Sequence, residues 1–177
     1  DSGLPNPLNL SDLDGSNGFT INGVNVGDKS GFSVSNAGDV NGDGIDDLII
    51  GARVADPDGN GNAGSSYVVF GSDSGLPNPL NLTDLDGSNG FTINGVNSYD
   101  QSGISVSSAG DVNGDGIDDL IIGADRADPG GNSTAGSSYV VFGSDTGLPN
   151  PLNLSDLDGS NGFTINGVNV GDKSGFS

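Results

Sequence analysis

The sequence predicts an all-β chain of repeated four-stranded antiparallel blades, and three observations carry that prediction. A block of 72 residues recurs: the phrase Gly-Leu-Pro-Asn-Pro-Leu-Asn-Leu begins at Gly3, Gly75 and Gly147. Short apolar runs bounded by Gly, Asn, Asp and Pro fall at the same places in each block, which is strand punctuation. Strong helix formers are scarce, with no Glu and no Met in 177 residues.

The candidate strands follow in order. They are 18–22 (GFTIN), 31–35 (GFSVS), 47–52 (DLIIGA) and 66–71 (SYVVFG), repeated at 90–94, 103–107, 119–124 and 138–143, with GFTIN again at 162–166. Phe32 and Val34 alternate with Ser33 and Ser35, the pattern of a sheet with one wetter face. Leu48-Ile49-Ile50 and Tyr67-Val68-Val69-Phe70 do not alternate, so both of their faces must be covered. Small sheets stacked face to face, as in a propeller or an array, provide that cover. Residues 1–72 and 73–144 differ at eleven positions, whereas 1–33 and 145–177 differ only at Ser2 and Thr146. The chain begins and ends inside a repeated unit, which reads as a piece of something longer.

Composition excludes several chemistries. There is no Cys, His or Trp, every one of the 24 acidic residues is Asp, and the formal net charge is −20. Such a charge repels nucleic acid and anionic membrane surfaces. No Ser-His-Asp triad, Cys nucleophile or ordinary zinc site can be built from these residues. Paired Asp can hydrolyse glycosides, but here the pairs are better accounted for as metal ligands. A non-enzymatic role is therefore expected. No apolar run is long enough to insert as a membrane helix.

The acidic residues concentrate in one nine-residue segment. Asp39-Val40-Asn41-Gly42-Asp43-Gly44-Ile45-Asp46-Asp47 recurs as Asp111-Val112-Asn113-Gly114-Asp115-Gly116-Ile117-Asp118-Asp119. Side-chain oxygens at positions 1, 3, 5 and 9, a turn-permitting Gly at 6 and a free carbonyl at 7 follow the ligand order of an EF-hand-type calcium loop. Position 12 is Ile50 rather than the bidentate Glu of an EF-hand, so the loop closes early and runs into a strand. The expected ligands are Asp39, Asn41, Asp43 and Asp47, with Ile45 through its carbonyl, and Asp111, Asn113, Asp115, Ile117 and Asp119 in the second copy. Asp46 is a supporting group or an alternative ligand. A plain hairpin turn explains the glycines but not four carboxylates in nine residues, which repel one another without a cation. Oxygen donors alone suit hard cations such as Ca2+. The weaker acidic spots, Asp12–Asn17 and Asp56–Asn60, read as ordinary turns. Asn9, Asn81, Asn132 and Asn153 sit in N-x-Ser/Thr sequons.

At these residues the chain resembles the FG-GAP repeat, the blade unit of the integrin alpha-subunit β-propeller, in its bacterial, notably cyanobacterial, form. The matching stretch is Gly31-Phe32-Ser33-Val34, then Ala37 through Ala52, then Tyr67-Val68-Val69-Phe70-Gly71, with Ile104 for the Phe in the second copy. The resemblance implies four antiparallel strands per blade, calcium between the first and second strands, an extracellular or cell-surface setting, and roles in adhesion or matrix. On that frame 1–30 is a partial repeat, 31–102 and 103–174 are two blades, and 175–177 starts another. Closed propellers need ~4–8 blades. The alternatives are a larger ring, a multichain assembly, or an open array. Two functions compete: an adhesion or recognition module with a protein or glycan ligand, and a building block that self-associates through its repeats or strand edges into a filament or sheath, with calcium as rigidifier.

Overall fold

The computed structural model describes residues 7–177. The first copy of the Gly3 phrase and the opening of the partial repeat at 1–30 therefore lie partly outside the described residues. Among the described residues eleven strands form: β1 Ile21–Asn22, β2 Ser33–Gly38, β3 Asp47–Ala52, β4 Ser65–Val69, β5 Leu80–Asn81, β6 Gly90–Asn94, β7 Ser105–Gly110, β8 Asp119–Ala124, β9 Ser137–Val141, β10 Leu152–Asn153 and β11 Gly162–Asn166. Short single helical turns at Leu10–Asp12, Leu82–Asp84 and Leu154–Asp156 are the same element in three repeats.

The strands assemble into antiparallel blades. In the first, β2, β3, β4 and β6 lie side by side, with Val34 opposite Ile50, Ile50 opposite Tyr67 and Tyr67 opposite Thr92. The second repeats this with β7, β8, β9 and β11. Each first strand carries a register shift before its loop, between Asn36 and Gly38 and between Ser108 and Gly110. A bulge there bends the strand and aims the loop that follows.

One pairing was not anticipated from the sequence. β10 leaves its own blade and adds in parallel to the outer edge of β6, with Leu152 opposite Ile93 and Asn153 opposite Asn94. β5 does the same to β1, Leu80 opposite Ile21. The Leu-Asn-Leu phrase is thus a strap that each repeat lays over the fourth strand of the repeat before it. Edge strands expose unpaired amides and carbonyls, and the strap covers part of that edge. Leu82 and Leu154, one residue beyond the straps, are buried at 3% and 2%, whereas Leu10, at the equivalent place, is 80% exposed.

One core cluster lies between the blades, and a second, with Ile50, Tyr67, Val69, Leu80 and Leu82, lies within the first blade. Ile49, Val68, Phe91 and Ile93 of the first blade share a cluster with Val106, Leu120, Leu152 and Leu154 of the second. One face of each of the β3–β4 and β8–β9 pairs is thereby covered, and Ile50, Tyr67 and Val69 of β3 and β4 are buried in the second cluster, while Leu48 stays 36% exposed. The first strand behaves according to its neighbour. Val106 is 9% exposed beneath the first blade, while its counterpart Val34 is 67% exposed. Compared with the sequence reading, β2 and β7 begin two residues later, because Gly31 and Gly103 (φ 81° and 80°) sit in left-handed turns that only glycine adopts cheaply.

Close approach of the blades fixes another glycine. A Cβ on Gly51 would collide with the carbonyl oxygen of Gly103, and one on Gly123 with that of Gly175. Truncating a strap leucine should reveal the same interdependence: Leu154→Ala should cost about 2–4 kcal/mol in denaturant unfolding. Leu10→Ala, on the uncovered copy, should stay within about 0.5 kcal/mol.

Candidate metal centre

The two oxygen-rich loops connect β2 to β3 and β7 to β8, and each is wound around its own carboxylates. In the first, Asp39 accepts from the Asp43 amide through Oδ1 (3.0 Å) and from the Gly44 amide through Oδ2 (2.8 Å). Asn41 Oδ1 accepts from the Asp43 amide (2.9 Å), and Asp43 Oδ1 from the Ile45 amide (2.8 Å). Asn41 Nδ2 donates to Asp43 Oδ2 (3.0 Å). The second loop repeats the pattern: Asp111 takes the Gly114, Asp115 and Gly116 amides, Asn113 the Asp115 amide, and Asp115 the Ile117 amide. Side chains at positions 1, 3 and 5 thereby hold a turn that the backbone alone would not close. Gly42 and Gly44 (φ 74° and 87°) supply its left-handed steps.

Position 9 differs from the others. Asp47 and Asp119 are 1% and 0% exposed. Asp47 Oδ2 accepts from the Val40 amide (3.0 Å), and Oδ1 from the Gly71 amide at the end of β4 (2.8 Å). Asp119 holds Val112 (2.9 Å) and Gly143 (3.0 Å) in the same way. Each of these carboxylates clamps the loop to the far end of its blade. Burial pushes the Asp47 carboxyl up to about 6; the Gly71 and Val40 amides oppose this, and the charges of Asp43 and Asp39 add to it.

The structure places the expected ligands 39, 41, 43, 45 and 47 in one hairpin, and 111, 113, 115, 117 and 119 in its copy. Among the described residues the carboxylates do not gather in threes at metal-holding distance, because they face the loop amides. The donor set nevertheless fits a hard cation. Every side-chain donor is oxygen, and an ionised carboxylate that accepts two amide bonds keeps further lone pairs. Bound there, Ca2+ would be held by Asp39, Asn41, Asp43 and Asp47 with the Ile45 carbonyl, and it would supply charge neutralisation. A pocket of about 290 Å³ opens beside the first loop, lined by Asn41, Asp43, Phe70, Pro77 and Asn89 among others. Its counterpart of about 280 Å³ lies beside the second.

Asp118 has a function that sequence reading left open. Its Oδ2 accepts from the Asp39 amide (3.0 Å), and its own amide donates to the Asp39 carbonyl (3.2 Å). The loop of one blade is thus bonded to the loop of the next. The Ser144 amide adds a bond to the Val40 carbonyl (2.9 Å). Val40 is fully buried in consequence, while Val112 at the same loop position is 51% exposed. Asp46, equivalent to Asp118, accepts instead from Asn36 Nδ2 (3.2 Å). The doubled Asp-Asp was the only sequence signal for this role.

The weaker acidic spots are closed turns. Asp14 Oδ1 accepts from the Ser16 amide and hydroxyl (2.9 and 2.7 Å), bonds that hold its carboxyl below the ordinary range. Asp56 accepts from the Asn62 amide, and Asp128 from the Thr134 amide (2.6 Å each).

Stacked antiparallel four-stranded blades, each with an oxygen-lined loop between its first two strands, define a β-blade repeat protein of propeller type. The repeats are FG-GAP repeats: the FG-GAP family model matches residues 30–69 and 102–141, the first three strands and the loop of each blade. Among curated proteins, integrin alpha-PS2 of Drosophila melanogaster is 34% identical over 133 residues, covering 73% of this chain and 9% of that protein. Integrin alpha ina-1 of Caenorhabditis elegans is 34% identical over 128 residues, covering 71% of this chain and 11% of that protein. Human phosphatidylinositol-glycan-specific phospholipase D is 32% identical over 147 residues, covering 80% of this chain and 17% of that protein. The chain therefore spans under a fifth of the relatives it matches.

The buried clamp has a pH signature. In chelator, the folded chain keeps a proton on Asp47 up to about pH 6, whereas an unfolded aspartate releases it near 3.8. The folded state binds more protons between those values, so stability should rise as pH falls from 7 to 5. Burial also raises the Asp100 carboxyl, which acts in the same direction. Thermal unfolding across this range checks it, and Asp47→Asn should flatten the slope.

Proposed function

We propose that this chain is a calcium-binding segment of an extracellular or cell-surface protein, serving as an adhesion or recognition module or a surface scaffold. One observation carries the reading: each FG-GAP match encloses an oxygen-only loop with Asp and Asn at alternate positions. Relatives bearing the name integrin support the adhesion setting. The calcium ion would neutralise each loop and stiffen the hairpin between two strands, so that binding energy becomes folding energy. Extracellular modules bind calcium with dissociation constants of about 10⁻⁴–10⁻³ M, suited to millimolar calcium outside cells. We read the chain as non-catalytic. Its likeness to the human phospholipase D covers only 17% of that enzyme, and its acidic residues serve loops and turns.

The calcium reading is tested by calorimetry. Chelator should lower the melting temperature by a few degrees, since a site filled at ~10 Kd contributes about 1.4 kcal/mol. Asp43→Ala with Asp115→Ala should abolish the response. A melting curve indifferent to chelator would overturn it.

A second reading, a self-associating building block, draws on one structural feature. Phe32 and Val34 on the face of the first blade, and Phe163 and Ile165 on the edge of the second, are exposed, while their counterparts in the blade-to-blade core are buried. The two surfaces are the two halves of one interface, and heterologous contacts of this kind propagate head to tail. Electron microscopy of concentrated protein in calcium decides between the two readings: regular filaments support the building block, discrete particles the module.

A further inference from the structure

The eleven differences between the repeats are not scattered in space. Several meet at the junction where one blade hands over to the next. The segment around residue 101 lies in that junction: its Tyr99 and Gln101 amides donate to the carbonyls of Gly61 and Asn62 in the preceding 72-residue block (2.9 and 3.2 Å). One repeat later, the Gly171 and Lys173 amides donate to Ser133 and Thr134 (3.0 and 3.1 Å). All four of these contact pairs join positions that vary between repeats. Gln101 and Lys173 share a left-handed backbone (φ 56° and 54°), so their side chains leave the same point of the same scaffold.

The side chain opposite that point varies as well. Arg53 Nη1 donates to Gln101 Oε1 at 2.6 Å, and the guanidinium stacks 4.3 Å from the Phe32 ring centroid. Gln101 itself is only 9% exposed. At the position of Arg53, the second blade carries Asp125, 3% exposed, with Oδ1 lacking any hydrogen-bond partner. A buried carboxylate without a partner is costly, and the residue that the next segment brings to this junction is Lys173.

We propose that positions 53/125 and 29/101/173 form a charge code that makes each repeat select the other type as its successor. First-to-second contact sets Arg53 against neutral Gln101. Second-to-first contact puts Asp125 at the place of Arg53 and Lys173, exposed and not ion-paired among the described residues, at the place of Gln101. A first-to-first junction would place an arginine against a lysine in a poorly hydrated site, where like charges repel most strongly. A second-to-second junction would leave the aspartate facing an amide, with no cation. The structural period of the array is then two repeats, 144 residues, and the surface fits a partner blade of the opposite type.

Variants of the whole chain at saturating calcium test the code. Gln101→Lys recreates the forbidden junction and should lower the melting temperature by about 3–6 °C, less in 1 M salt, where screening is strong. Gln101→Met, similar in size and uncharged, should lose much less. Adding Arg53→Asp to Gln101→Lys installs the Asp-Lys combination and should recover most of the loss, although Arg53→Asp alone is destabilising. The code is refuted if Gln101→Lys melts like the parent. It is equally refuted if Gln101→Met costs as much as Gln101→Lys, or if the double variant is merely the sum of the singles.

Discussion

No blade here can bury all of its own apolar surface, and the rest of the structure follows from that constraint. A four-stranded sheet has two faces and two edges. The β3 and β4 runs are hydrophobic on both faces, so a partner is required on each side. The adjacent repeat meets that need twice over, packing Val106 and Leu120 against Ile49 and Val68 and sending its Leu-Asn strap back over the β6 edge. Stability in such arrays resides in interfaces between neighbours as much as in the units. The difference between Val34 and Val106 shows it within one chain: identical residues on equivalent strands, one in solvent and one in the core.

The acidic loops are drawn into the same interlocking. Asp39 holds its loop together through its side chain while its main chain bonds to Asp118 of the following blade. Asp47 holds the loop to the end of β4 through Gly71. A charge of −20 opposes compaction, yet the aspartates sit where they brace turns. The loop aspartates are tolerable because Asp39, Asp43 and Asp47 and their copies each accept backbone amide bonds, and amide bonds favour the charged form. At Asp47 and Asp100 burial outweighs those bonds.

Much of this was legible in the sequence, and what was missed had a physical cause. The apolar runs at 47–52, 90–94 and 119–124 gave strands at those positions because their composition leaves no other structure. Loop residue types and spacing were plain from local chemistry, since Asp and Asn two residues from an amide form the same turn anywhere. The strap was invisible: two residues between Pro and a helical turn have no periodicity, and Asn153 finds Asn94 59 residues away. Asp118 was ambiguous for the same reason, because its partner Asp39 is 79 residues distant and in another repeat.

Because Asp39 belongs to both the loop and the junction, the two cannot be independent. Anything that fixes the Asp39 side chain also restrains the amide that Asp118 accepts from, and stacking of the next blade in turn excludes water from Val40 and the base of the loop. Linkage is reciprocal: if an ion at the first loop favours stacking, stacking favours the ion by the same factor. The second loop, with Val112 exposed and no following blade over it, lacks that support. Two loops of identical sequence thus differ in environment alone, and on the proposed calcium reading the covered one should bind more tightly. In a longer array every interior loop would be of the covered kind, so that on that reading ion affinity and blade stacking would rise together.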